Sequence, residues 1–290
     1  MMTSFSIQKA ILFLLILLLL PDFGFAAEKS YIVGFHKNPR KAGKERILKS
    51  NGRIKRSFTL INAMSVTLSE DEVELLQKDK DVAYITEDKI YTATVPLPGN
   101  EYAESWGVEH ISADLAHLSG NKGAGIKIAV IDTGIDYDHE DLNDNYVGGY
   151  DFVFNDADPY DDNTISHGTH VAGIIAAEDN DFGVIGVAPE ASLYAVKVLD
   201  GGGFGLASWI ISGIEWAVNN NMDIINISIQ GANDPALEAA CNSAYDAGVI
   251  IIAAAGNNNG GPVTYPAAYE SVVAVTGTDE FDIPAYFSPV

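Results

Sequence analysis

Three polar residues in distant segments of the chain are of the types that together catalyse acyl transfer. Asp132 ends the apolar run "KIAVID", His167 opens the stretch "HGTHVAGIIAA", and Asn257 follows "IIIAAAG". An aspartate beside a histidine fixes the tautomer of the ring, and a histidine with a pKa of ~6.5 takes and returns a proton at neutral pH. A fixed side-chain amide donates to an oxyanion. The set predicts a site that works with a serine nucleophile.

Each of these residues alone also has a purely structural explanation. An aspartate after a strand or a histidine before a helix commonly caps a helix, and an asparagine after glycine commonly forms a turn. The catalytic interpretation therefore depends on the three sequence contexts taken together.

The elements that must position these residues are predicted to form a doubly wound parallel sheet of the α/β class. From Gly125 onward, the apolar runs "IKIAVID", "SLYAVKVL", "DIINISI", "VIIIAAAG" and "SVVAVTG" alternate with stretches of helical spacing such as "ASWIISGIEWAVNNN". Continuous Val and Ile runs indicate strands covered on both faces, and alternation with helices indicates a parallel sheet. The ligand crevice of such a sheet lies beyond the carboxyl ends of its strands. We expect the site at that edge, because Asp132 and Asn257 both follow strands.

A small α+β domain is predicted for residues 27–94, ahead of a larger domain at 95–290. Two helical stretches separate alternating strands, and Ser69 with Glu72 forms a capping box before the second helix. Three or four strands with two helices are typical of a ferredoxin-like sandwich. A domain of this size is marginally stable alone, so we expect a larger surface to support it. The segment "TATVPLPGNEYAES" after it is predicted to be a linker.

Residues 1–26 are predicted to be a secretory signal peptide. A lysine precedes the apolar run "AILFLLILLLL", and a proline and the small residues "GFA" come after it. The run is too short to span a bilayer, which needs ~20 residues. We therefore expect a secreted, extracellular protein.

The single cysteine is predicted to be a core residue. Cys241 shares a predicted helical face with Leu237 and Ala244. A reactive thiol is the weaker interpretation, because no histidine is close to it in sequence.

Charge is divided unevenly between the two predicted domains. Residues 27–94 carry 13 Lys and Arg against 10 Asp and Glu, whereas residues 95–290 carry 3 Lys, no Arg and 29 Asp and Glu. Such an acidic field repels nucleic acid and anionic membranes, and it attracts cations and basic partners. We expect a monomer with neither nucleic acid nor membrane as partner, in which most carboxylates form a solvated surface.

Several long motifs resemble those of the subtilisin family of secreted serine endopeptidases: "VIDTGID", "SHGTHVAGIIAA", "GVAPEASLYAVKVL" and "AAAGN". Residues 29–90 also resemble that family's inhibitory propeptide, in "YIVGF" and "VAYITEDK". The resemblance implies that Asp132 and His167 are two members of a catalytic triad and that Asn257 is the oxyanion side chain. It implies that residues 27–94 act as chaperone and transient inhibitor, removed by self-cleavage near Thr94. His170 has no matching role and is expected to be a packed structural residue.

The same resemblance implies a cleft in which substrate backbone adds as a strand between two segments. The residues of the two segments are Gly203, Phe204, Gly205, Ser228, Ile229, Gln230 and Gly231. Main-chain pairing explains broad specificity for protein and peptide substrates, because every peptide offers the same donors and acceptors. Gln230 stands where the family usually has glycine. It narrows the pocket, adds a polar contact or faces water, and the sequence leaves these alternatives open.

A calcium site is also implied by the resemblance. Its ligands are the Asp141 carboxylate, the Asn180 side chain and the carbonyls of Phe182 and Val184. Oxygen ligands from one loop plus one distant carboxylate suit Ca²⁺. The ligand from the mature N-terminus stays open. The second acidic loop, "NDADPYDDN", lacks the glycine and distal glutamate of an EF-hand loop and is expected to be a solvated face.

The family's nucleophile lies in a "GTSMA"-like segment, and no "GTS" occurs in the sequence up to Val290. Ser228 and Ser288 match other positions of the family. We expect the sequence to be part of a longer protease. The alternative is a non-catalytic pseudo-protease that binds peptides or inhibits a relative, and the presence of Asp132, His167 and Asn257 together argues against it.

Overall fold

The computed structural model describes residues 28–37, 40–93, 105–180 and 183–289. Its helices are α1 (Arg40–Lys49), α2 (Glu70–Gln77), α3 (Trp106–His110), α4 (Ala113–Leu118), α5 (His167–Ala176), α6 (Ala207–Asn219) and α7 (Pro235–Asp246). Its strands are β1 (Lys29–Phe35), β2 (Arg53–Ser57), β3 (Ala63–Leu68), β4 (Val82–Glu87), β5 (Ile90–Ala93), β6 (Lys127–Asp132), β7 (Tyr146–Asp151), β8 (Ser192–Lys197), β9 (Phe204–Leu206), β10 (Ile224–Ile227), β11 (Ile229–Gln230), β12 (Ile250–Ala254) and β13 (Val273–Val275). Across these ranges, no helix combines the length and the apolar character that a membrane crossing requires. The predicted signal peptide and most of the linker lie outside the described residues.

The N-terminal module is an antiparallel sheet in the order β2-β3-β1-β4, with α1 and α2 on one face. This β-α-β-β-α-β arrangement is the ferredoxin-like one. The predicted capping box is present, because Ser69 Oγ accepts from the Glu72 backbone N–H and Glu72 Oε2 accepts from the Ser69 N–H at 2.5 Å. Buried side chains on the other face, such as Ile32 and Phe58, share one cluster with residues of α6 and α7. The larger domain therefore supplies the supporting surface that the small module needs.

The central sheet of the larger domain has six parallel strands in the order β13-β12-β10-β6-β8-β7. Alternate residues of β6 are buried on opposite faces. Ala129 and Ile131 share a cluster with α6 and α7, whereas Ile128 and Val130 share one with α5. The prediction of an α/β, doubly wound parallel sheet is confirmed.

Two strands differ from the sequence-based expectation. The edge strand β7 was not predicted, because the glycine pair in "YVGGYD" interrupts its apolar pattern. Gly149 is required there, since a Cβ would clash with the Ala195 carbonyl oxygen. The expectation that β13 is covered on both faces was wrong. Val273 and Val275 are 53% and 51% exposed, and among the described residues β13 is the outermost strand of the sheet, paired with β12.

Candidate active site

Asp132 and His167 form a buried hydrogen-bonded pair at the carboxyl edge of the parallel sheet. Asp132 is the last residue of β6 and His167 the first residue of α5. Asp132 Oδ1 lies 2.7 Å from His167 Nδ1, and the two residues are 0% and 3% exposed. A carboxylate in this position favours the tautomer with the proton on Nδ1, which leaves Nε2 as the base, and it stabilises the imidazolium.

Thr133 forms hydrogen bonds with both Asp132 and the first turn of the helix that carries His167. Its N–H donates to Asp132 Oδ1 at 2.7 Å, and its hydroxyl oxygen accepts from the Gly168 N–H at 2.8 Å. The close approach requires Gly168, because a Cβ there would clash with the Gly134 carbonyl oxygen. The backbone after β6 therefore holds both the carboxylate and the first turn of the histidine's helix.

The acidic loop before α5 caps that helix. Ser166 makes no side-chain cap, whereas Asp161 Oδ2 accepts from the Thr169 N–H at 2.9 Å and from its hydroxyl at 2.7 Å. Asp161 is buried, and Asp162 pairs with a buried lysine. The expectation of a solvated face was therefore wrong for Asp161, which is buried against α5, whereas the Asp162 side chain stays 47% exposed while it pairs with the lysine of β8.

That lysine, Lys197 at the end of β8, is a site residue that sequence reasoning missed. Its ammonium donates to the Thr133 carbonyl at 2.5 Å, to Asp162 Oδ1 at 2.6 Å and to the Leu199 carbonyl at 3.0 Å. A buried ammonium is tolerated only when it is paired and fully hydrogen-bonded. The sequence signal was a single lysine inside the apolar run "SLYAVKVL".

Asn257 lies after β12 on the same edge of the sheet. β10 lies between β12 and β6, so Asn257 comes after a strand about 10 Å across the sheet from the one that ends at Asp132. Its backbone N–H donates to Gln230 Oε1 at 2.9 Å. The structure thus gives Gln230 a polar contact with the loop that carries the predicted oxyanion residue.

The two predicted cleft segments flank the end of the N-terminal module. β5 lies between β11 and β9 in an antiparallel sheet, with Ala93 opposite Ile229 and Tyr91 opposite Gly205. Tyr91 is fully buried, and its hydroxyl donates to the Ala232 carbonyl at 2.8 Å. The remaining predicted members are placed along these strands, with Gly203 before β9, Phe204 exposed, Ser228 accepting from Asn226 at 3.0 Å, and Gly231 bridged to Tyr265.

Further contacts hold the module on the larger domain. The Asp88 carboxylate accepts from the Ser208 N–H in the first turn of α6 at 2.8 Å. Glu215 Oε1 accepts from the Leu60 N–H at 2.7 Å and also from the N–H and hydroxyl of Thr59. The cleft between β9 and β11 is thus filled by a strand from the chain's own N-terminal module.

Two family models match separate parts of the chain, and these parts correspond to the two domains of the fold. The model described as "Subtilase family" matches residues 123–289, and the model described as "Peptidase inhibitor I9" matches residues 30–94. This chain belongs to the subtilase family.

Relatives of the subtilase agree with that assignment. It is 43% identical to "Subtilisin NAT" of Bacillus subtilis subsp. natto over 276 residues, which cover 91% of this chain and 70% of the relative. It is 43% identical to "Minor extracellular protease Epr" of Bacillus subtilis (strain 168), and spans 41% of that protein. The solved structure of fervidolysin from Fervidobacterium pennivorans, described as "a keratinolytic enzyme related to subtilisin", has a TM-score of 0.73 and 27% identity, covering 89% of this chain and 44% of that one. The subtilase is a serine endopeptidase.

The predicted calcium ligand Asp141 of the subtilase is a buried carboxylate. Asp141 Oδ2 accepts from the Val184 N–H at 2.9 Å, whereas the buried Oδ1 has no hydrogen-bond partner in the described part of the chain. A buried oxygen without a donor fits a cation. Asn180 Nδ2 lies 3.4 Å from the Glu140 carbonyl, and Phe182 lies outside the described residues. The described ranges hold no group of three or more His, Cys, Asp or Glu suited to a metal, so an ion here would depend on amide and carbonyl oxygens.

Cys241 is a core residue of the subtilase, as predicted, whereas His170 borders a cavity. Cys241 is fully buried, and burial raises the pKa of its thiol to about 12. His170 is half-buried and lines a cavity of about 530 Å³ together with His139 and Asp141. Burial, and secondarily the charge of His167, lower the pKa of His170.

Proposed function

We propose that this subtilase is a secreted, calcium-stabilised endopeptidase that is made as a self-processing precursor. Residues 1–26 direct export, residues 27–94 form the propeptide, and residues 95–290 form the larger part of a monomeric catalytic domain. In this proposal a serine in a "GTS"-type segment of the family completes the catalytic triad. Support for export comes from the signal-peptide pattern and from the name of the extracellular relative.

In the proposed reaction, His167 takes the proton of the serine hydroxyl as the oxygen attacks the substrate carbonyl. The Asp132 carboxylate stabilises the imidazolium that forms, and His167 then returns the proton to the leaving amine. The Asn257 side-chain amide donates to the oxyanion of the tetrahedral intermediate. The Thr133 N–H donates to the Asp132 carboxylate and the Lys197 ammonium donates to the Thr133 carbonyl, so the carboxylate keeps its place while the ring changes charge.

Substrate recognition in this proposal uses the main chain. A peptide in the position of β5 pairs with β9 and β11 through backbone groups, which suits broad specificity toward proteins and peptides. The propeptide holds that position before processing and acts as intramolecular inhibitor and chaperone. Its net positive charge against the acidic catalytic part favours fast association.

Calcium has a structural part in this proposal. Asp141, Asn180 and the carbonyls of Phe182 and Val184 hold the ion, which when bound neutralises the buried Asp141 carboxylate and stabilises the loop around Asn180.

The observation that carries the proposal is the buried 2.7 Å contact between Asp132 and His167 beside a cleft that accepts an extended strand. The test is to express the whole reading frame, including the codons downstream of Val290, and to assay peptide hydrolysis and labelling by a fluorophosphonate, which reacts with activated serines. Hydrolysis with labelling of one serine supports the proposal. Tight peptide binding with neither reaction would instead identify a pseudo-protease.

A further inference from the structure

The register of the two sheets locates the substrate residue next to the chemistry. Ile227 of β10 pairs with Ile131 of β6, so Ser228 is level with Asp132. Ala93 of β5 pairs with Ile229, so the next position along an extended chain lies opposite Ser228. A peptide in the place of β5 therefore presents that residue, here named the acyl residue, to the Asp132 and His167 pair.

Two neighbouring backbone segments lie beside the acyl residue, and the space between them is here named the recess. The strand of Ser228–Gly231 forms one side, and the loop of Ala255–Asn257 after β12 forms the other. The loop includes Gly256, whose φ of 115° favours glycine. In a cleft of this form, the absence of a side chain at Gly256 would leave room for part of the substrate.

Two side chains fill that room. An ideal Cβ built at Gly256 would lie 2.5 Å from Thr264 Oγ1 and 3.2 Å from Gln230 Oε1. Gln230 Oε1 accepts from the Asn257 N–H at 2.9 Å, and the Thr264 hydroxyl donates to the Ala255 carbonyl at 3.0 Å. Both side chains are half-buried and are held by the loop itself, so they act as fixed walls of the recess.

We propose that Gln230 and Thr264 narrow this recess, so that the enzyme cleaves after small residues such as Ala and poorly after aromatic residues. The inference rests on the proposed function and adds the substrate class to it. An aromatic acyl residue would have to displace the Gln230 amide and leave the Asn257 N–H without its acceptor, which is costly in a half-buried site. Small acyl residues fit with both hydrogen bonds intact. In the chain's own sequence, the residue after Ala93 is Thr94, which is also small.

The test is a comparison of kcat/KM on the p-nitroanilides Ala-Ala-Pro-Ala and Ala-Ala-Pro-Phe, with the enzyme produced from the whole reading frame. The wild type is expected to prefer the Ala peptide. A double variant, Gln230→Gly with Thr264→Gly, is expected to raise the Phe to Ala ratio by about tenfold or more, the size that a change of side-chain fit produces in a pocket. Gln230→Leu keeps the bulk and removes the acceptor, so its ratio is expected to lie between those of the wild type and the double variant, which separates the contribution of bulk from that of the hydrogen bond.

Wild-type preference for the Phe peptide, or an unchanged ratio in the double variant, would overturn the inference while leaving the proposed function intact. Should the variants fail to fold, the wild-type ratio alone decides in the same way. Absence of hydrolysis of both peptides and of fluorophosphonate labelling would overturn the proposed function, and this inference with it.

Discussion

The contact between Glu215 and the propeptide permits a sharp test of how the N-terminal module is held. Glu215 lies on α6, and one of its carboxylate oxygens accepts from the Leu60 N–H at 2.7 Å and from the N–H and hydroxyl of Thr59. Hydrogen bonds to a charged group each contribute about 1.5–3 kcal/mol. The three hydrogen bonds together contribute less than three times that value, because the donors share one oxygen and Thr59 is exposed to water. We take ~2 kcal/mol for the three bonds together, which corresponds to a change of about 30-fold in the affinity for the propeptide.

We therefore expect Glu215→Ala to weaken inhibition by residues 27–94, added as a separate polypeptide to the processed enzyme, by about 30-fold. Glu238→Ala on α7 is the matched control. Glu238 is exposed and has no hydrogen bond to the propeptide among the described residues, so its inhibition constant should equal that of the wild type. Equal constants for Glu215→Ala and the wild type would refute the reasoning. A loss of the same size in Glu238→Ala would show a general charge effect instead.

Three further outcomes are expected. Asp132→Asn should lower kcat by about 10⁴-fold with little change in KM, a size carried over from triad carboxylates of other serine peptidases, and a loss below tenfold in steady-state kinetics would contradict the assigned role. His170 has a pKa below 6.5 when folded, so the unfolded state binds its proton first. The stability that this pKa difference contributes is present above about pH 6.5 and is lost as the pH falls through the lowered folded value. In urea unfolding at several pH values, His170→Gln should therefore show a smaller fall in unfolding free energy over that pH range than the wild type. Parallel curves of unfolding free energy against pH for the two proteins would contradict this expectation. Calcium at 100 times its dissociation constant should stabilise the fold by ~2.7 kcal/mol and raise the melting temperature. Asp141→Ala should abolish that rise, and an equal rise in the variant would remove Asp141 from the ligand set.

The role of a residue could be predicted where the neighbouring sequence shows its position in the fold. It could not be predicted where the role depends on contacts with residues far away in the sequence. Asp132 and His167 lie where an apolar strand ends and an apolar helix begins, so the sequence shows both the residue and its position. Lys197 looks like an interruption of an apolar run, because its partners Thr133 and Asp162 are 64 and 35 positions away. Only the folded chain shows that its charge is satisfied.

The same distinction applies to the cleft. The linker prediction was wrong for Thr92 and Ala93, which belong to the short strand β5. The insertion of β5 between β9 and β11 depends on pairings more than 100 residues apart. The sequence left three alternatives for Gln230, and its contact with the Asn257 N–H favours a side chain held against the loop over one that faces water. The error on β13 has the same origin, since an apolar run does not reveal whether other elements cover the two faces of the strand.

The most direct test of the central claim is kcat/KM for peptide hydrolysis by His167→Ala in the enzyme expressed from the whole reading frame. His110→Gln serves as control. His110 is exposed, and its ring forms a hydrogen bond with Asp282, which belongs to neither the catalytic pair nor the cleft segments. We predict that His167→Ala falls to the small residual rate left by substrate binding and oxyanion contacts, whereas His110→Gln keeps the wild-type rate. Hydrolysis by His167→Ala at the wild-type rate would contradict the claim that His167 moves the proton.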